Sequence, residues 1–154
     1  MKESVWDYPR PPRLEPCSRY LKVVFADQII AETHRGYRVL ETSHPPTYYF
    51  PAEDVCTEFL KPASLKTLCE FKGQASYFDM EVNGRSAKQV AWCVPDPTSA
   101  FAAIRNYLSF YASRVDACFV DEEQVQPQAG DFYGGWFTSE IQGPFKGGPG
   151  TRGW

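Results

Sequence analysis

The best candidate for chemistry in this sequence is the run Thr67, Cys69, Lys72 and Gly73. On a strand, Thr67 and Cys69 stand two residues apart and so project from the same face. Lys72 follows at the strand's end, and Gly73 permits a tight bend there. A cation beside a thiol favours the thiolate. The arrangement would make Cys69 a nucleophile, or make Cys69 and Lys72 a seat for an anion. A plainer reading stands ahead of both: a strand cysteine is most often a small buried hydrophobe, and a lysine is most often solvated.

Arg19, Tyr48, Tyr49, Asp54, Tyr77 and Trp92 are the supporting residues. Tyr48 and Tyr49 are consecutive, so a strand sends them to opposite faces, one to the core and one to a cleft. Tyr77 is expected on the strand adjoining Thr67, sharing its face. Asp54 would pair with Arg19 or Lys72, or merely begin a helical turn. A pocket combining an arginine, a lysine, tyrosine hydroxyls and a tryptophan suits a small anionic or aromatic ligand. The expected ligand-binding set is therefore Arg19, Tyr48, Tyr49, Thr67, Lys72, Tyr77 and Trp92. The candidates for catalysis are Cys69, Lys72 and Asp54, with Tyr77 completing an acid–base set. The bland version makes the same aromatics the core of a small barrel.

Other motifs fail on context. Gly148-x-Gly150-x-x-Gly153 matches a dinucleotide fingerprint as a string, but no strand–helix–strand unit follows it. No Walker A sequence and no G-x-S-x-G elbow occur. The histidines, His34 and His44, sit near predicted turns and are read as surface residues, so no metal site is expected. No cofactor is expected either.

These side chains need strands to hold them. Leu21, Val23 and Phe25 alternate with Lys22, Val24 and Ala26, which predicts a strand. Asp27-Gln28 reads as a turn, Ile29–Thr33 as the return strand, and Tyr37–Glu41 and Thr47–Phe50 as two more. A short helical turn is expected over 52–61, with Val55, Phe59 and Leu60 inward. Ala63–Phe71 and Ala75–Val82 are the next strands. Asn83-Gly84 suits a type I′ hairpin turn and should join 75–82 to 86–94. That pairing brings Tyr77 and Phe78 near Val90 and Trp92. Thr98 or Ser99 would cap a short helix over 100–105, and Tyr107–Tyr111 and Asp116–Val120 close the series.

The ends differ from the middle. Residues 1–18 form a proline-rich arm of expected polyproline-like geometry, whose Trp6, Tyr8 and Leu14 argue for packing on the domain. Residues 19–120 form the β-rich core. Residues 121–154 form an extension that holds eight of the eleven glycines together with Trp136, Phe137, Phe145 and Trp154. It reads as an irregular segment wrapping the core, with a disordered tail as the competing reading.

The 154 residues suit one domain, and 43% apolar content is enough for a core. The 16% aromatic content leans toward strands and a shaped cavity. A net charge of −3 without a basic stripe argues against nucleic acid as a partner. Five cysteines, an odd count with no C-x-x-C spacing, argue against a disulfide framework and for reduced thiols in the cytoplasm. No apolar run reaches membrane-spanning length, and the first nine residues lack a signal-peptide core.

The order of motifs carries a likeness. Leu40-Glu41, then Pro46-x-Tyr48-Tyr49-x-Pro51-x-x-Asp54-Val55, then Thr67-x-Cys69-x-x-Lys72-Gly73-x-Ala75-x-Tyr77, then Ala91-Trp92-x-x-Pro95-x-Pro97, then Phe110-Tyr111 resembles the domain-of-unknown-function family 427 over residues 19–120. The segment from Gly134-Gly135-Trp136 through Gly150 resembles an extended subgroup of it. The resemblance implies a mainly β fold of curled antiparallel sheets, similar to the β-tent of methionine sulfoxide reductase B, with one or two short helices. The family also carries a nucleotidyltransferase-like label. Relatives of that fold often hold zinc on paired C-x-x-C motifs, which this chain lacks. It also departs from the family pattern at Glu70, Gln89, Val90 and Val94. Three functions remain in view: binding of a small molecule on a concave sheet face, an enzyme using Cys69 or the Asp54, Lys72 and Tyr77 set, and a protein-interaction module built on the aromatic, glycine-rich tail.

Overall fold

The computed structural model describes residues 2–69, 72–129, 133–147 and 151, with only the backbone described at Cys69. Its strands in chain order are β1 (Glu3–Ser4), β2 (Arg13–Cys17), β3 (Leu21–Phe25), β4 (Gln28–Thr33), β5 (Gly36–Leu40), β6 (Thr47–Tyr49), β7 (Leu60–Cys69) and β8 (Gly73–Val82). They continue as β9 (Arg85–Cys93), β10 (Ser109–Phe110), β11 (Ala117–Val120), β12 (Glu123–Gln124), β13 (Gln126–Pro127), β14 (Trp136–Phe137) and β15 (Ile141–Gln142). Three sheets dominate, ordered β10-β9-β8-β7, β12-β11-β3-β4 and β2-β5-β6. All their pairings are antiparallel. The protein is thus mainly β, as its aromatic content and alternating patterns imply. Among the described residues no helix is long and apolar enough to cross a membrane.

In β3, Leu21, Val23 and Phe25 are buried while Lys22 and Val24 are half-exposed, so the alternation read from the sequence holds. The turn after it falls on Ala26 and Asp27, one residue earlier than expected, because Gln28 already pairs with Phe25. Both turn residues have positive φ, 52° and 61°. The Ala26 N–H donates to Asp116 Oδ2 at 2.8 Å, which helps hold a conformation that alanine disfavours. Asp116 is gripped in turn by both terminal nitrogens of Arg85, at 2.9 and 3.0 Å. Asn83 and Gly84 take positive φ and close the β8–β9 hairpin as Asn-Gly predicts.

The β7–β10 sheet is buried on both faces where it matters. Phe78, Met80, Ala91 and Cys93 face the main core with Leu21, Val23, Phe50, Phe110 and Trp136. Ala75, Tyr77 and Trp92 face the other way and pack with Tyr111. Burial on both sides explains the unbroken buried run Val90-Ala91-Trp92-Cys93-Val94. At the bulge between Phe78 and Met80, Gln89 takes positive φ and its N–H donates to Asp79 Oδ1 at 2.8 Å, which locally bends the sheet.

Several expectations are corrected in detail. The helical turn over 52–61 is two 3₁₀ turns, Ala52–Asp54 and Thr57–Phe59, with Val55 buried between them. The helix over 100–105 is the kinked 3₁₀ segment Ser99–Ile104, which buries Phe101 and Ile104 against Val39 and Tyr49. The strand expected to end at Phe71 begins earlier, at Leu60, and is described only to Cys69. The proline-rich arm is not polyproline-like throughout: β2 pairs with β5 through five register pairs, and Pro16 fits because β2 is an edge strand. Val5 and Tyr8 of the arm are buried with Leu40 and Ile141. In the extension, Trp136 is fully buried, its Nε1–H donating to the Phe110 carbonyl at 2.9 Å.

Candidate functional site

Tyr48 and Tyr49 do leave β6 on opposite faces, and each lies beside a different cavity. Tyr49 is buried behind the pocket face of the β7–β10 sheet. Its hydroxyl accepts from Trp92 Nε1 at 3.3 Å and from Lys72 Nζ at 3.5 Å. On that face lies a cavity of about 480 Å³, within the range of small-molecule sites.

Each wall of this cavity follows from local structure. Thr67 stands opposite Ala75, and Tyr77 opposite Trp92, so the three strands present one face of side chains. The Thr67 and Tyr77 hydroxyls hydrogen-bond at 3.0 Å. The rings of Tyr77, Trp92 and Tyr111 cluster at centroid distances of 4.7 to 6.5 Å. Lys72 is set by the β7–β8 turn. There Gly73 takes φ +123°, where a Cβ would come within 3.0 Å of the Asp96 carbonyl, and Thr98 N–H donates to the Lys72 carbonyl at 2.8 Å.

The segment between β5 and β6 supplies Glu41, His44 and Pro45, and the chain beyond residue 121 supplies Gln128, Tyr133, Gly134 and Lys146. Gly134 approaches the Trp92 ring so closely that a Cβ there would sit 2.2 Å from it. His44 is buried rather than a surface residue, which corrects the sequence reading. Its ring lies 4.9 Å from that of Tyr133, and its Nδ1 is 2.9 Å from Gln128 Nε2. Burial, then the nearby Lys146 and Arg10, hold its pKa down to about 4. It is therefore neutral at pH 7.

The other histidine, His34, is exposed and stacks on Tyr20.

Tyr48 borders a second cavity of about 400 Å³ with Glu3, Glu15, Cys17, Arg19, Arg38 and Glu140. Here the charges satisfy one another. Arg38 donates to Glu15 at 2.5 Å and to both Glu3 oxygens at 3.0 and 3.2 Å. Arg19 bridges Asp121 and Glu140 at 3.0 and 2.7 Å. Arg19 and Lys72 thus belong to different cavities, contrary to the expected convergence. Asp54 lines neither: it accepts from Thr33 Oγ1 at 2.6 Å and from Arg35 at 3.1 and 3.2 Å, and these bonds lower its pKa. The expected Asp54, Lys72 and Tyr77 set is therefore not assembled, because Arg35 lies nearer to Asp54 in the folded chain. The side chain of Cys69 lies outside the described residues, as do Trp154 and the three glycines Gly148, Gly150 and Gly153.

A family model described as a domain of unknown function, DUF427, matches residues 13–121. The chain belongs to this family. A search of curated proteins finds no match. The DUF427 match ends before Gln128, Tyr133, Gly134 and Lys146, so the larger cavity draws one wall from the family domain and another from the extension.

Within this DUF427 chain, Thr67, Lys72, Tyr77 and Trp92 come together as the sequence suggested, while Arg19, Tyr48 and Asp54 go elsewhere. Glu41, His44, Tyr111, Gln128, Tyr133 and Lys146 escaped sequence reasoning. One signal was available for His44: it precedes Pro45-Pro46 between two apolar strands, a rigid position close to the core. The described thiols do not suit nucleophilic chemistry. Burial pushes Cys17, Cys56, Cys93 and Cys118 above the ordinary thiol pKa. No group of three or more His, Cys, Asp or Glu side chains among the described residues is placed to hold a metal.

Proposed function

We propose that this DUF427 chain binds a small anionic or aromatic molecule in the larger cavity. One observation carries the reading: a single concave site combines an aromatic wall of Tyr77, Trp92 and Tyr111 with two lysines, Lys72 and Lys146, and a neutral buried histidine. Apolar walls with a few convergent polar groups are the ordinary makeup of ligand sites. The second cavity supports no such reading, since its arginines are engaged by carboxylates. The free thiols at Cys17, Cys56, Cys93 and Cys118 support the cytoplasm as compartment. A β-tent arrangement of the sheets belongs to the same proposal, on the strength of the family resemblance.

The test is a thermal-shift screen of aromatic acids, nucleosides and small carboxylates, with Tyr77→Phe and Lys72→Gln as comparison proteins. A ligand at about 100 times its Kd stabilises the fold by about 2.7 kcal/mol, a readily measured rise in Tm. Hits whose affinity falls in either variant support the cavity. If no anionic or aromatic compound stabilises the protein, or if every hit binds both variants unchanged, the proposal is wrong.

A further inference from the structure

The β8–β9 hairpin, which sets Tyr77 opposite Trp92, turns through a peptide that can react with itself. Asparagine is a thermolabile residue. The backbone nitrogen of the following residue can attack its side-chain carbonyl carbon. Two things slow that attack: a side chain on the following residue, and hydrogen bonds that hold either group in place. The chain has two asparagines, Asn83 and Asn106, and both are exposed. Both also have positive φ, 52° and 60°.

At Asn106 both obstacles are present. The next residue is Tyr107, whose ring packs edge-on against Tyr37 at a centroid distance of 5.6 Å. The Tyr107 N–H donates to the Ile104 carbonyl at 2.9 Å, so the attacking nitrogen is held. The Asn106 N–H donates to the Val94 carbonyl at 3.3 Å, which holds the asparagine as well.

At Asn83 neither obstacle is present. The next residue is Gly84, exposed, with no atom within 4 Å of the place a Cβ would take. Among the described residues neither the Gly84 N–H nor the Asn83 carboxamide makes a hydrogen bond. The turn is closed only by the flanking pair, Val82 and Arg85. Ring closure needs Asn83 to rotate about its own backbone and side-chain bonds, and no bond to its side chain resists that.

The structure assigns Asn83 as a site of self-modification, at which the Gly84 nitrogen displaces the side-chain amide. A bond forms between Gly84 N and Asn83 Cγ. The nitrogen gives up its proton, and the amide group leaves with one proton added, as ammonia. The cyclic imide then takes up one water molecule. Water adding at Cγ breaks the new bond and yields aspartate. Water adding at the Asn83 backbone carbonyl carbon breaks the original peptide bond and yields isoaspartate, with the chain running through Cγ. Water is the only co-reactant.

The two products differ in consequence. Asp-Gly suits the same type I′ turn, so aspartate keeps the hairpin. Isoaspartate inserts an extra main-chain carbon into a two-residue loop, whose twist then no longer matches the strands. The modification therefore weakens the hairpin that carries one wall of the larger cavity, whether or not that cavity holds a ligand.

The test is prolonged incubation of the folded full chain in mildly alkaline buffer. Peptide mass spectrometry, with fragmentation that separates aspartate from isoaspartate, reads the products. Asn83 should convert to both products at least about tenfold faster than Asn106, where an N–H bond must first break and a side chain stands in the way. The isoaspartate fraction should unfold at lower urea concentration than the unmodified protein. Asn83→Asp should unfold like the natural chain. Asn83→Gly keeps the turn, because Gly-Gly also suits it, and should show no conversion and no loss of stability on incubation. No conversion at Asn83 in the folded chain, or conversion at Asn106 just as fast, would overturn the assignment. An isoaspartate fraction as stable as the unmodified chain would overturn the consequence drawn for the hairpin.

Discussion

The two cavities are close in size, about 480 and 400 Å³, yet they use charge in opposite ways. Around the smaller one, Arg38 and Arg19 are locked to Glu3, Glu15, Asp121 and Glu140, and the ion pairs join the N-terminal arm, β2, β5 and the extension. Around the larger one, two lysines, a neutral histidine and a hydroxyl pair face a hollow lined by rings. Ion pairs that close on each other hold chain segments together and leave little field for a ligand. At the larger cavity Lys146 forms no ion pair among the described residues and rests near the Tyr133 ring, while Lys72 donates to the Tyr49 hydroxyl. Size alone does not separate the two sites; the disposition of their charges does.

The sharpest way to break this comparison is a pH titration of stability. His44 titrates near 6.5 when unfolded and near 4 when folded, so the unfolded chain binds the extra proton between those values. Its contribution is complete above pH 6.5 and is lost as pH falls toward 4, a difference of about 3 kcal/mol. Urea unfolding across pH 4 to 7 should show this loss in the natural protein and not in His44→Gln, so the difference between the two curves should fall by that amount as pH drops. A flat difference curve would mean that His44 is solvated.

Next in size is Arg38→Ala. It takes the shared cation from Glu3 and leaves Glu15 only the exposed Arg13 at 3.4 Å, and should cost about 2 kcal/mol in urea unfolding. Binding at the larger cavity should be unchanged. Gly134→Ala should cost about 1–2 kcal/mol, because its methyl would overlap the Trp92 ring, and it should abolish ligand-induced thermal shifts. The smallest effect belongs to Lys72→Gln, within about 0.5 kcal/mol in stability but with a clear loss of anion affinity. A large stability loss at Lys72, or none at Arg38, would erase the distinction between the cavities.

The legible parts of this protein are its local ones. Asn83-Gly84 announces its hairpin because few other pairs tolerate two positive φ angles, and that hairpin sets Tyr77 across from Trp92. The consecutive Tyr48 and Tyr49 announce a strand with two destinations, since the pleat alternates. Asp54 misled because it has several possible cationic partners in the sequence, and only the placement of Arg35 beside it decides among them. His44 misled because a turn position says nothing about what later folds over it.

The amino-acid order by itself determined a mainly β protein, the strands of its central hairpin, the shared face of Thr67 and Tyr77, and an aromatic surface beside Lys72. These follow from the two-residue period of strands and the backbone limits of turns, which act over a few residues. The tertiary structure alone decided which cations meet which acids, that Arg19 and Lys72 line different cavities, and that Gln128 and Lys146 return to line a cavity with Glu41 and His44. Gln128 lies 84 residues from His44 along the chain, and no local rule predicts a hydrogen bond at that separation. It exists because burying Trp136 in the core draws the extension back across the sheet.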